Sequence, residues 1–211
     1  MQQKVRVLLV EDQEMSAEMI RLYLSSSERF VHIETIPNAD LAPVHCAGGG
    51  IDLVLMDVYT ELGADGLTAA GIIKEENPHI KVIVITSMPE VNYLKRAREN
   101  GVDSFWYKAA SREELMNIME RTWAGESIYP DETPECRLGM ISSKDLTDRE
   151  LDVLYGVVRG ESNVEIANRL TISVDTVKTH IKTLLSKTAF SSRTNMAVRA
   201  RELGLIIPHD R

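Results

Sequence analysis

No stretch of this sequence approaches the run of roughly 18 apolar residues that a membrane-spanning helix needs. A membrane partner is therefore not expected. The N-terminal MQQKVRVLLVED holds only a short apolar run that acids follow at once, and it lacks the small-residue cleavage site of a secretory leader. The cytoplasm is the expected compartment. Cysteine is nearly missing: Cys46 and Cys136 lie far apart, and neither belongs to a CxxC pair. That argues against a disulfide framework or a zinc site. Positive charge is scarce as well, with a net charge of −8 that taken alone speaks against a nucleic-acid partner. The distribution reverses this. Residues 1–125 carry 12 basic and 19 acidic groups, residues 126–145 carry 2 and 5, and residues 146–211 carry 10 and 8. An acidic front beside a mildly basic back points to a polyanion-binding domain at the C-terminal end.

What is present is ordinary globular material. The chain has 211 residues, 44% hydrophobic and 27% charged, enough for two small domains with separate cores. In the first 125 residues, apolar runs rich in Val and Ile stand at 5–10, 31–36, 51–56, 81–86 and 103–107. Several are apolar on successive positions, as strands buried on both faces of a parallel sheet must be. Amphipathic stretches at 14–26, 39–47, 68–77, 90–100 and 112–124 alternate with them, the last with a capping-box pattern from Ser111 to Glu114. The fold class is α/β, a doubly wound sheet over residues 1–125. Residues 126–145, with two prolines, one glycine, a polar bias and no periodicity, read as a linker. Residues 146–211 are helical throughout, with Thr147 as an N-cap, Gly160 as a stop and a tight turn at 171–173.

In open parallel sheets, ligands bind at the carboxyl ends of the strands. There the sequence places Glu11 and Asp12 on the first strand, Asp57 on the third, Thr86 on the fourth and Lys108 on the fifth. Three carboxylates at one edge repel unless a cation joins them, and oxygen donors with room for water suit Mg²⁺. An aspartate in such a place can accept a phosphoryl group as a nucleophile. These five residues resemble the site of the response-regulator receiver domain, in order and in spacing, over residues 4–125. The resemblance implies a five-stranded sheet of order 2-1-3-4-5. It also implies Asp57 as phospho-acceptor, and Mg²⁺ held by Asp12, Asp57 and the carbonyl of Tyr59 with Glu11 beside them. Lys108 would pair with the phosphoryl group, and Thr86 and Phe105 would act as the switch pair. Two departures stand out. The segment VYTELGADG after Asp57 lacks the proline usual in the family and is one residue longer. Ala109 stands where many receivers carry a cis-proline, so a trans bond or an altered loop is expected.

The segment from Leu146 to Lys187 has helix-turn-helix spacing. Its second helix, 174–187, sets Val177, Ile181 and either Leu184 or Leu185 on an inner face and Lys178, Thr179 and Lys182 on an outer one. A helix of that kind can enter the major groove of duplex DNA. Leu146, Thr147, Glu150, Ile166, Ala167, Val177 and Lys178 carry a resemblance to the LuxR-type output domain of the NarL/FixJ family. It implies an all-α domain in which Lys178, Thr179 and Lys182 face the groove and Asn163 and Thr176 lie near phosphates. Its last helix, 192–203, would supply a dimer contact. Thr188 and Ala189 replace the family's usual leucine and small residue, and Phe190 is expected to restore the packing.

The function expected is that of a two-component response regulator, not an enzyme. A histidine kinase would phosphorylate Asp57, and a homodimer would form and bind DNA to regulate transcription. A phosphatase that uses Asp57 as a covalent nucleophile needs a second aspartate two residues on, and Tyr59 stands there instead. A constitutive DNA binder with the receiver as scaffold is the other alternative, opposed by the complete acid, threonine and lysine set.

Overall fold

The computed structural model describes residues 4–60, 63–90, 92–108 and 111–206. The Lys108–Ala109 bond, where the sequence departs from the cis-proline pattern, lies outside them. The chain divides into two compact units, residues 4–87 with 92–131, and residues 132–206 with 88–90. Among the described residues, no helix is long and apolar enough to cross a membrane.

The first unit runs β1 (Val5–Val10), α1 (Glu14–Ser25), β2 (Phe30–Ile36), α2 (Ala42–Ala47), β3 (Leu53–Asp57), β4 (Tyr59–Thr60), β5 (Ala64–Asp65), α3 (Gly66–Glu76), β6 (Lys81–Thr86), α4 (Tyr93–Glu99), β7 (Ser104–Tyr107) and α5 (Arg112–Trp123). Five strands form one parallel sheet of order β2-β1-β3-β6-β7. With the short β4 and β5 set aside, this is the 2-1-3-4-5 order expected. β3 and β6 are apolar on both faces because helices cover both faces. One layer of the core joins Val7, Leu9, Leu55, Ile83 and Trp106 of the sheet to Ile20 of α1 and Leu115 and Met119 of α5.

The atypical segment after Asp57 becomes a small antiparallel hairpin. Tyr59 pairs with Asp65 and Thr60 with Ala64, and Gly63 turns at φ +76°. Thr60 Oγ1 is buried and accepts the Ala39 N–H at 2.9 Å, which pins the hairpin to the start of the α2 region. Gly66 follows under a hard steric limit: a Cβ there would lie 1.9 Å from the Asp57 carbonyl oxygen.

Residues 126–131 continue the first unit as a strap along β7. The Phe105 N–H donates to Ile128 O at 2.8 Å, and the Ile128 N–H donates to Ser104 Oγ at 3.0 Å. Tyr129 donates its hydroxyl to Val102 O at 2.8 Å, under the guanidinium of Arg98, 4.4 Å from the ring centroid.

The second unit opens with a hairpin of β8 (Arg137–Leu138) and β9 (Ile141–Ser142), then a 3-10 turn at Ser143–Asp145 with a Ser142/Asp145 capping box. Neither the hairpin nor the turn was expected from the sequence. The helices are α6 (Asp148–Val158), α7 (Asn163–Leu170), α8 (Val174–Thr188) and α9 (Arg193–Glu202). Thr147 with Glu150 and Ser162 with Glu165 form capping boxes that fix the starts of α6 and α7. Left-handed Thr171 and Ala189 end α7 and α8. Val153, Leu154, Ile166, Val177, Ile181, Leu184 and Met196 build the core, and Phe190 packs against it as expected.

Candidate functional site

The parallel sheet delivers the acidic residues to one edge. β1 ends immediately before Glu11 and Asp12, β3 ends in Asp57, β6 ends in Thr86, and Lys108 follows β7. Ligand oxygens of Glu11, Asp12 and Asp57 all lie within 4.8 Å of one another. Lys108 Nζ donates to Asp57 Oδ2 at 2.6 Å and also to Glu11 Oε2. Its backbone N–H donates to Thr86 O at 2.8 Å, which anchors the lysine beside Thr86. Glu11 is fully committed: Ser16 Oγ donates to it at 2.7 Å and the Gln13 N–H at 3.1 Å. The Val58 N–H donates to Asp57 Oδ1 at 2.7 Å.

The electrostatics follow from burial. Asp57, Glu11 and Thr86 are buried, while Asp12 is half-buried. Burial pushes the Asp57 carboxyl up to about 6, the Lys108 ammonium opposes that rise, and Glu11 adds to it. Lys108 bonds to Asp57 and Glu11, and the cluster of Glu11, Asp12 and Asp57 could hold a metal ion. Asp57 combines a restrained carboxylate with an adjacent proton-bearing cation, the arrangement a phosphoryl acceptor needs. Tyr59 stands in β4, 40% exposed. Phe105 is buried in β7, its ring 5.1 Å from that of Tyr107 and 6.2 Å from that of Tyr129.

The second candidate surface is the outer side of α8. Val177, Ile181 and Leu184 are buried, and Thr176, Lys178, Thr179, Lys182 and Thr183 are exposed. Thr176 Oγ1 lies 2.8 Å from Ser173 Oγ at the helix start. The hydroxyls of Thr179 and Thr183 donate back to Asp175 O and Thr179 O, at 2.9 and 3.0 Å. Asn163, the first residue of α7, accepts from Arg193 Nη1 at 3.0 Å, and Arg193 Nη2 donates to Glu161 O at 2.8 Å. Sequence reasoning missed this bracing role of Arg193 and also missed Asp175. Asp175 shares the exposed face with Lys178, three positions on, a spacing that could have revealed it. Asn163 is part of a brace as well as a candidate phosphate neighbour.

Comparison with known families fits both geometries. Residues 7–120 match the response regulator receiver domain, and residues 144–200 match the bacterial regulatory proteins of the luxR family. The chain belongs to the response regulators. This regulator pairs a receiver with a LuxR-type DNA-binding domain, an architecture of transcription regulators rather than of enzymes. It is similar to the response regulator protein VraR of Staphylococcus epidermidis, 33% identical over 207 residues, 96% of this chain and 99% of the relative. VraR of Staphylococcus aureus is also 33% identical over 207 residues, with the same coverage. In fold, the regulator resembles the response regulator ChrA of a heme-sensing two-component system, with a TM-score of 0.54 and 24% identity over 97% of this chain and 100% of that one. It also resembles RcsB from Salmonella enterica serovar Typhimurium bound to promoter rprA in the presence of a phosphomimetic, with a TM-score of 0.62 and 17% identity over 93% and 98%.

Proposed function

We propose that a histidine kinase switches this regulator by phosphorylating Asp57, and that the phosphorylated form binds duplex DNA as a homodimer to control transcription. The observation that carries this reading is the approach of Lys108 Nζ to 2.6 Å from Asp57 Oδ2, inside a cluster that also holds Glu11 and Asp12. A carboxylate oxygen of Asp57 attacks the phosphorus of a phosphohistidine. The P–N bond breaks, the imidazole leaves, and an acyl phosphate forms on Asp57. Lys108 offers its ammonium to the incoming phosphoryl oxygens, and Thr86, at the end of the neighbouring strand, offers a hydroxyl. The donor set of Asp12, Asp57 and the Tyr59 carbonyl, backed by Glu11, fits a hard divalent cation such as Mg²⁺. When bound, that ion supplies positive charge against the phosphoryl oxygens. With a kinase and chromosomal DNA as partners, the regulator works in the cytoplasm.

On the output side, Lys178, Thr179 and Lys182 of α8 face the major groove, while Thr176 and Asn163 stand near phosphates at two helix starts. One such domain offers few contacts, so a dimer on two half-sites supports useful affinity. RcsB captured on a promoter with a phosphomimetic supports the coupling by analogy.

The test is intact mass after incubation with Mg²⁺ and a small acyl phosphate, with sedimentation on the same sample. A gain of one phosphate together with a shift toward dimer is expected, and both should vanish in Asp57→Asn. Equal labelling of that variant would remove Asp57 from the role. Labelling without any change in association would leave the constitutive-binder alternative standing.

A further inference from the structure

Asp175 poses a problem for a helix meant to enter DNA. It is the second residue of α8, its side chain is 88% exposed, and it shares the outer face with Lys178 and Thr179. A carboxylate there is repelled by every phosphate the helix approaches. Its placement in the first turn does suit the helix dipole, but that benefit is small for an exposed residue. The structure shows a more particular arrangement. Asp175 Oδ1 accepts from Lys178 Nζ at 3.0 Å, so an acceptor and a cationic donor sit side by side at the tip of α8.

We propose that Asp175 and Lys178 act together as a base-pair reader, with the carboxylate accepting from the exocyclic amine of a cytosine and the ammonium donating to the paired guanine. This inference rests on the reading that α8 enters the major groove. In a C·G pair the cytosine N4 amine and the guanine O6 are themselves hydrogen-bonded, about 2.9 Å apart. The pair therefore presents a donor next to an acceptor on its major-groove edge. The Asp175–Lys178 couple presents the complementary acceptor and donor at nearly the same separation. Guanine N7 offers the ammonium a second acceptor beside O6, whereas in A·T the amine lies between two acceptors and the thymine methyl crowds one of them. The C·G pair is the better match. The same couple suppresses binding elsewhere: off its site, the carboxylate neutralises Lys178 and repels phosphate. Asp175 is thus a specificity-determining residue that lowers general affinity and raises discrimination.

The test is selection of bound sequences from a randomised duplex library with the full chain, treated with Mg²⁺ and a small acyl phosphate. Wild type, Asp175→Ala, Asp175→Asn and Lys182→Ala are compared. Wild type is expected to select a fixed C·G pair in each half-site. Asp175→Ala should lose roughly five- to 150-fold of preference at that one position. It should also bind random duplex more tightly, with the salt slope steeper by up to about 0.9. Asp175→Asn should move the preference toward A·T, since an amide reads the adenine N6/N7 edge. Unchanged base preference in both Asp175 variants would overturn the proposal, as would an A·T pair selected by wild type in the position that Asp175 controls. Lys182→Ala separates the two levels of the argument. If it loses affinity while the Asp175 variants keep the wild-type preference, α8 is in the groove and only the reader fails. If neither Lys182→Ala nor the Asp175 variants alter binding, the placement of α8 fails with it.

Discussion

Glu150 shows how much one side chain can carry in a domain this small. Its carboxylate accepts from the Thr147 N–H at 2.9 Å, from Thr147 Oγ1 at 3.1 Å and from Lys187 Nζ near the end of α8 at 2.8 Å. It closes a cap on α6 and ties that helix to α8. Burial pushes its pKa up, but the hydrogen bonds from Lys187 and Thr147 prevail and hold the carboxyl below the usual glutamate range. A lowered pKa in the folded state means that this stabilisation is complete above the unfolded value and is lost as pH falls through the folded one. Glu150→Gln is therefore expected to cost the output domain about 1–3 kcal/mol at pH 7. The gap to wild type should close as pH falls below the usual glutamate range, and denaturant unfolding of both proteins as pH is lowered checks it. A gap independent of pH would assign the effect to packing. Leu146, Thr147 and Glu150 already announced a capped helix in the sequence, but the partner Lys187 lies 37 positions away, and no local pattern could show it.

At the scale of elements, the hairpin β8–β9 braces the far end of α8. The Met140 N–H donates to Thr188 O at 3.2 Å, covering a carbonyl at the end of the helix. Gly139 makes this approach possible, with φ +64° and space so tight that a Cβ would lie 2.0 Å from Thr188 O. Gly139→Ala should therefore lower the melting temperature of the output domain by several degrees, through both the left-handed backbone and the clash. Differential scanning calorimetry reads it, and an unaltered melting point would mean that the hairpin does not support α8. The exposed side of the same helix, proposed to enter the groove, has its own test. Lys182→Ala should weaken operator binding by about 1–3 kcal/mol and relax preference at one position, whereas a purely phosphate-bound Lys178 would reduce the salt slope by about one for all sequences. The strands were legible because Val and Ile in unbroken runs can only be satisfied between two helical layers, and β1 and β6 fall on their expected residues. Asp57, Thr86 and Lys108 were legible because a parallel sheet sends the ends of its strands to one edge. The β8–β9 hairpin was not legible. Its strands are two residues long, too short for periodicity, and contacts far along the chain, Leu138 in the core and Met140 on Thr188, give it shape.

For the whole molecule, charge and connectivity set the terms of action. Residues 1–125 carry 12 basic against 19 acidic groups, so the receiver repels a polyanion while the mildly basic output domain attracts one. Counting covalent neighbours, the receiver could be thought to end at Gly125. Counting bonds, it ends at Asp131, because Ser127, Ile128 and Tyr129 all bond back onto residues 102–105. A receiver truncated after Gly125 should accordingly melt several degrees below one that ends at Asp131, and identical melting curves would show the strap to be ornamental. The strap has a mechanical consequence. The backbone N–H of Phe105 and the carbonyl of Ile128 share a single rivet of 2.8 Å, and the ring of Phe105 lies beside that of Tyr129. That bond joins the Phe105 backbone directly to the first residues after Gly125. If phosphorylation drives Phe105 to a new seat, slack is drawn in or paid out at the root of the tether, as a cam shifts the cable fixed to its rim.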